Sequence, residues 1–110
     1  MASHNDLGKY GEQLAKSYLA AADFNILFQN WRHSYYEIDI ICSRNNVLHF
    51  IEIKTRRSLA FGFPEQGVDN KKLEKLMIAA EEFLYQHPSW ERVQYDILSI
   101  YLQGNRQPEF

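Results

Sequence analysis

Two runs rich in β-branched and aromatic residues, Tyr36 to Ser43 (YEIDIICS) and Val47 to Lys54 (VLHFIEIK), are separated only by Arg44, Asn45 and Asn46. Such side chains suit a pleated surface, and asparagine tolerates the positive φ that a two-residue turn demands. The spacing predicts an antiparallel hairpin. With Asn45-Asn46 as the turn, Arg44 pairs with Val47, and counting outward sets Asp39 against Glu52 and Glu37 against Lys54. Side chains alternate along a strand, so Glu52 and Lys54 share one face. Val47, His49, Ile51 and Ile53 form the other face, which is apolar, and Leu48 and Phe50 make the Glu52 face apolar as well. Glu-x-Lys is commonly the solvent face of a half-buried strand. Here it ends a strand whose two faces are both apolar, where an unpaired acid is costly.

The rest of the chain supplies what this hairpin packs against. Asn5 or Asp6 is placed to cap a helix running to about Ala22, with Leu7, Gly11, Leu14 and Tyr18 on one face. Phe24 to Trp31 alternates as a strand. Thr55 to Asn70 contains Gly62, Pro64 and Gly67 and no periodicity, so it reads as a loop. Asp69 or Asn70 then caps a second helix in which Leu73, Leu76, Met77, Ala80 and Leu84 follow helical spacing up to Pro88. Arg92 to Leu102 is a last strand. The predicted order is αβββαβ, an α/β chain expected to form a single domain over residues 1–110.

Composition narrows the functional classes. Cys42 is the only cysteine, which excludes an internal disulfide and a thiolate-rich zinc site. Apolar runs are broken by charge within a few residues, so no membrane partner is expected. The start of the chain shows no basic-then-apolar leader pattern, and the expected location is the cytoplasm. Net charge is −2, but Arg32 to Lys75 holds eight basic residues against six acidic ones. That local excess is compatible with phosphate binding.

Two carboxylates facing across strands repel, and a divalent cation between them resolves the conflict. Mg²⁺ or Mn²⁺ fits: Mg²⁺ takes hard oxygen ligands, keeps several waters and needs only one or two carboxylates from the protein. Asp39 and Glu52 are therefore the candidate metal ligands. Lys54, one step further on the same face, is the candidate catalytic lysine, able to orient a water or offset charge on a phosphorane. Glu12 follows Gly8 and Gly11 beside the core face of the first helix and is a further candidate carboxylate. An ordinary surface Glu explains it as well. Lys71, Lys72 and Lys75 fall opposite the Leu73/Leu76/Met77 stripe, at a helix amino end where the dipole already favours anions. With Arg56 and Arg57 they form the candidate nucleic-acid-binding surface, against the alternative of a plain solvated face. His49 reads as a packed histidine, Cys42 as a core residue, and Asp96 as an acceptor fixing a neighbouring loop. Trp31, Tyr35 and Tyr36 are core aromatics or base-stacking groups beside Arg32.

Several segments together resemble UPF0102 (YraN), a family of small uncharacterised bacterial proteins: Gly8-x-x-Gly11-Glu12-x-x-Ala15, Asn30-Trp31-Arg32, Glu37-Ile38-Asp39-Ile40-Ile41, Phe50 to Arg56, Lys71-Lys72 and Tyr95-Asp96. The resemblance spans nearly the whole chain. It implies a restriction-endonuclease-like PD-(D/E)xK nuclease fold, an αβββαβ core around a mixed four-stranded sheet flanked by helices. It also implies a site of Asp39, Glu52 and Lys54 with Glu12 assisting. The chain is similar as well to archaeal Holliday junction resolvases, which use this site as dimers. The function expected is a Mg²⁺- or Mn²⁺-dependent endonuclease acting on DNA, branched or damaged, with a homodimer pooling two basic patches. A nucleic-acid-binding module without turnover and a protein-interaction adaptor are the alternatives. One departure stands out: Tyr36 occupies a position where the family pattern usually has Gly, so its ring either narrows the approach to Asp39 or packs aside.

Overall fold

The hairpin forms around Asn45 and Asn46, whose φ angles of 54° and 66° give the two consecutive left-handed residues of a tight turn. The computed structural model describes residues 4–56 and 70–101. Its elements are α1 (His4–Ala21), β1 (Asn25–His33), β2 (Tyr36–Arg44), β3 (Val47–Arg56), α2 (Asn70–Gln86) and β4 (Arg92–Tyr101). Sheet order is β1-β2-β3-β4. β1 to β3 are antiparallel neighbours, and β4 runs parallel to β3. That parallel pair requires a crossover, and α2 lies within it. The mixed sheet flanked by helices is the expected α/β architecture.

Two core clusters flank the sheet. On one side Leu76, Ala79, Ala80 and Phe83 of α2 pack with Ile38, Ile41, Leu48 and Phe50. On the other, Ala15 and Leu19 of α1 pack with Ile40, Cys42, Ile51 and Ile100. β3 is thus buried on both faces over its middle, as its sequence requires. Phe28, Trp31 and Phe50 all meet Phe83 edge-on, at centroid separations of 5.5, 5.4 and 5.7 Å. Trp31 is therefore a core aromatic.

Element bounds differ modestly from those expected. The first helix begins at His4, ahead of Asn5 and Asp6, and β3 carries Thr55 and Arg56, which the sequence assigned to the loop. Residues 57–69 of that loop, Arg57 among them, lie outside the described residues. Both helices are also rotated from their predicted faces. The buried line of α1 is Gly11, Ala15 and Leu19, while Tyr18 is exposed. In α2 the buried line is Leu76, Ala79, Ala80 and Phe83, while Leu73 and Met77 face out. Small residues let each helix approach the sheet closely, which decides the rotation against the larger Leu, Met and Tyr. At Gly11 the approach is tight: a Cβ there would lie 2.1 Å from Thr55 Oγ1. Gly8 has open space and no such duty.

Candidate functional site

The paired register of β2 and β3 runs from Arg44↔Val47 to Ile40↔Ile51, the register the turn dictates. One step further, where Asp39 faces Glu52, a side chain takes over from the backbone ladder. Asp39 Oδ2 accepts a hydrogen bond from the Ile53 amide at 2.8 Å. The regular alternation of β2 is interrupted at the same place. Ile38 packs on the α2 side and Ile40 on the α1 side, although they are two residues apart on one strand. In β1, the residue between the pairs Gln29↔Ile40 and Trp31↔Ile38 is Asn30, with φ of 52°. A left-handed asparagine inside a strand redirects the chain at the cost of local strain.

Electrostatics follow from this local geometry. Burial, then the neighbouring Glu52, pushes the Asp39 carboxyl up from 3.8 to about 7 against the opposing Ile53 hydrogen bond, and Glu12 and Glu37 add to the rise. Glu52 is also raised, first by burial and further by Glu37, while Lys54, Lys72 and a hydrogen bond with Asp39 act against it. Two acids this close cannot both ionise cheaply, so the pair retains a proton near neutral pH. Around them stand two further acids held by polar partners. With its amide nitrogen turned toward the carboxylates, Asn30 donates to Glu37 Oε1 at 2.9 Å and to Glu12 Oε1 at 3.2 Å. The opposite amide orientation would set its oxygen against acceptors. Arg32 Nη2 lies 3.2 Å from Glu37 Oε2.

Glu37 and Glu52 open into a cleft of about 190 Å³ that is also lined by Tyr35, Tyr36, Lys72, Lys75 and Leu76. Here the rotation of α2 matters. Lys72 stands four residues before Leu76 and continues the buried Leu76/Ala79/Phe83 line past the end of the core. It therefore does not lie opposite the packed face, as the sequence suggested, but beside Glu52. Lys71 is exposed and does not line the cleft, and nothing in the described residues bears on the Arg56 side chain. Tyr36 packs against the α2-side core and also lines the cleft beside Glu37 and Glu52.

The carboxylates suit a hard cation. Among the described residues no three acid, histidine or cysteine groups converge as a preformed cage. A paired Asp39 and Glu52 is nevertheless the donor set that Mg²⁺ accepts while keeping most of its water. A cation would also remove the repulsion that otherwise holds a proton there. A larger groove of about 530 Å³, lined by Asn45, Asn46, Ser89, Trp90, Glu91 and Arg92, lies by the hairpin turn and contains no paired acids.

Other candidates have structural duties. His49, 8% exposed, places Nδ1 2.8 Å from Asp96 Oδ2, and Gln94 Nε2 donates to Asp96 Oδ1 at 2.8 Å. Asp96 therefore anchors a strand histidine, not a loop. Burial, then the nearby Asp96, pushes the Cys42 thiol up to about 12, with Arg44 opposing, so it is an inert core group. Of the residues singled out from the sequence, Asp39, Glu52, Lys54, Glu12 and Lys72 lie close enough to influence the ionisation of the Asp39–Glu52 pair. Sequence reasoning did not single out Asn30, whose only signal is an asparagine in the middle of a strand, or the ion pair of Arg32 with Glu37.

A family model described as "Uncharacterised protein family UPF0102" matches residues 11–100. The chain is 39% identical over 101 residues to a UPF0102 protein of Flavobacterium psychrophilum, covering 92% of this chain and 85% of that one. It is 37% identical over 110 residues to one of Rhodococcus opacus, covering 99% and 93%. Over 100 residues it is 37% identical to one of Bacteroides fragilis, covering 91% and 83%. No helix of the described residues is long and apolar enough to cross a membrane.

Proposed function

We propose that this chain, which belongs to the UPF0102 family, is a metal-dependent endonuclease that hydrolyses phosphodiester bonds in DNA. The observation that carries the reading is the Asp39–Glu52 pair: two half-buried, mutually repelling acids at the point where β2 and β3 stop pairing, with Glu52 opening into a cleft that Lys72 and Lys75 also line. A fold that needed only stability gains nothing from such a pair.

Asp39 and Glu52 would hold Mg²⁺ or Mn²⁺. When bound, the ion would supply Lewis-acid stabilisation of the phosphoryl oxygens and a more acidic water. The Ile53 amide fixes the rotamer of Asp39 by engaging Oδ2. Lys54, close enough to Glu52 to influence its ionisation, orients the attacking water or offsets the charge that builds on the phosphorane. Glu12, which accepts a hydrogen bond from Asn30, would be the further carboxylate able to take a proton from the attacking water. Lys72 and Lys75 attract the phosphodiester backbone to the cleft. A dimer would double this modest positive surface.

The test is a calorimetric titration of Mn²⁺ into wild type and Asp39→Asn, with a parallel cleavage assay on branched, nicked and linear DNA. Saturable binding and cleavage by wild type alone support the reading. Binding that is equal in both proteins, or absent, removes the metal from the account and leaves a nucleic-acid-binding module or an adaptor.

A further inference from the structure

Tyr35 is 98% exposed, the most exposed of the large hydrophobic side chains among the described residues. It sits at the tip of the two-residue turn joining β1 to β2, closed by the pair His33↔Tyr36. Its neighbour Ser34 adopts φ of 59°, a conformation that glycine or asparagine takes at less cost. The turn is braced on both strands. Arg32 and Glu37 are register partners and their side chains are ion-paired at 3.2 Å, while Tyr36 is half-buried against the α2-side core. One tyrosine anchors the turn and the next projects from it.

The projection has a direction. Tyr35 lines the same cleft as Glu37, Glu52, Lys72 and Lys75. A planar ring on a braced turn, Glu52 of the acid pair, and two lysines thus bound a single space. The lysines and a bound cation attract phosphate, which every nucleic acid offers. The ring recognises something else. Bases in a continuous duplex are already stacked on one another, whereas an unpaired base presents an open π-face on which an aromatic side chain can stack. Bracing matters because a turn that is already ordered loses little backbone freedom on binding.

Resting on the reading of the cleft as a phosphodiester site, we infer that Tyr35 is a stacking platform for an unpaired nucleobase. The site therefore selects nucleic acid that is single-stranded or unpaired beside the phosphate in the cleft. Continuous duplex lacks this contact and is held through its phosphates alone.

The experiment compares wild type, Tyr35→Ala and Tyr35→Phe in fluorescence anisotropy, using a labelled single-stranded DNA oligonucleotide and its fully paired duplex in buffer containing Ca²⁺. Binding is read directly, so the result does not depend on turnover. Tyr35→Ala is expected to weaken single-strand binding about 5- to 100-fold, the range of one base–aromatic stack. Duplex binding changes less than about twofold, and Tyr35→Phe keeps wild-type affinity for both. Tyr35 lies outside the core, so thermal melting of the variants should match wild type. A 2-aminopurine in the single strand should be quenched by wild type and by Tyr35→Phe but not by Tyr35→Ala. Equal losses on both DNA forms, no loss with alanine, or a phenylalanine variant as weak as alanine would each overturn the stacking role while leaving the nuclease reading in place. Wild type that binds neither form would overturn both.

Discussion

Replacing Asp39 by asparagine should make the protein more stable, and by an amount that depends on pH. The folded chain raises the Asp39 carboxyl from 3.8 to about 7, chiefly by burying it and by setting it beside Glu52. Below pH 4 the carboxyl is protonated in folded and unfolded chains alike, and the substitution changes little. Between about 4 and 7 the native state binds more protons than the unfolded state, so wild-type stability falls as pH rises. Above 7 the full cost is present. A rise of about three units at 1.36 kcal/mol each corresponds to at most about 4 kcal/mol. Asparagine keeps an oxygen that can accept from the Ile53 amide and removes the charge. Urea unfolding of both proteins, with metal chelated, at a series of pH values from 3.5 to 8.5 measures the difference. Asp39→Asn should gain nothing at the acid end and several kcal/mol at the alkaline end, with unchanged m-values. A difference that is flat with pH, or a variant less stable than wild type at pH 8, would refute the account of Asp39 as a half-buried acid repelled by its neighbours.

Two further outcomes follow from the same geometry. Mn²⁺ at about a hundred times its dissociation constant should stabilise wild type by about 2.7 kcal/mol at pH 8; Glu52→Gln should show a much smaller gain in the same melting series. Gly11→Ala should destabilise by about 1 to 3 kcal/mol, because the new methyl meets Thr55 Oγ1 at 2.1 Å. Combining it with Thr55→Ala should recover part of that loss, and strictly additive effects in this double-mutant cycle would contradict the contact.

Much of the site was legible because the hairpin register is short-range information. Two asparagines able to take positive φ fix the turn, and counting outward from Arg44↔Val47 reaches Asp39 and Glu52 without knowledge of the rest of the chain. What sequence could not supply is the break in pairing at that point. It depends on Asn30, on a different strand, taking a left-handed conformation, and on Asp39 using its side chain where backbone would otherwise pair. The rotation of α2 was illegible for a similar reason. Leu73/Leu76/Met77 and Leu76/Ala79/Phe83 are both plausible apolar stripes by spacing. The choice is made by Phe28, Trp31 and Phe50 closing around Phe83 and by alanines that let the helix settle close to the sheet. That choice moves Lys72 from a solvated face to the wall of the cleft. Tyr35, by contrast, was visible only as one of several aromatics, since nothing local separates a packed ring from a projecting one.

The central claim is that Asp39, Glu52 and Lys54 together cleave a phosphodiester bond with the help of a divalent cation. Its most direct test is product formation on end-labelled branched, nicked and single-stranded DNA in Mg²⁺ or Mn²⁺ by wild type and by Lys54→Ala, with Mn²⁺ binding measured on both. The account predicts cleavage by wild type that chelation abolishes, and a Lys54→Ala protein that still binds the metal but cuts at least about a hundredfold more slowly. Cleavage at equal rates by both proteins, or none by a metal-loaded wild type on any of these substrates, would contradict it.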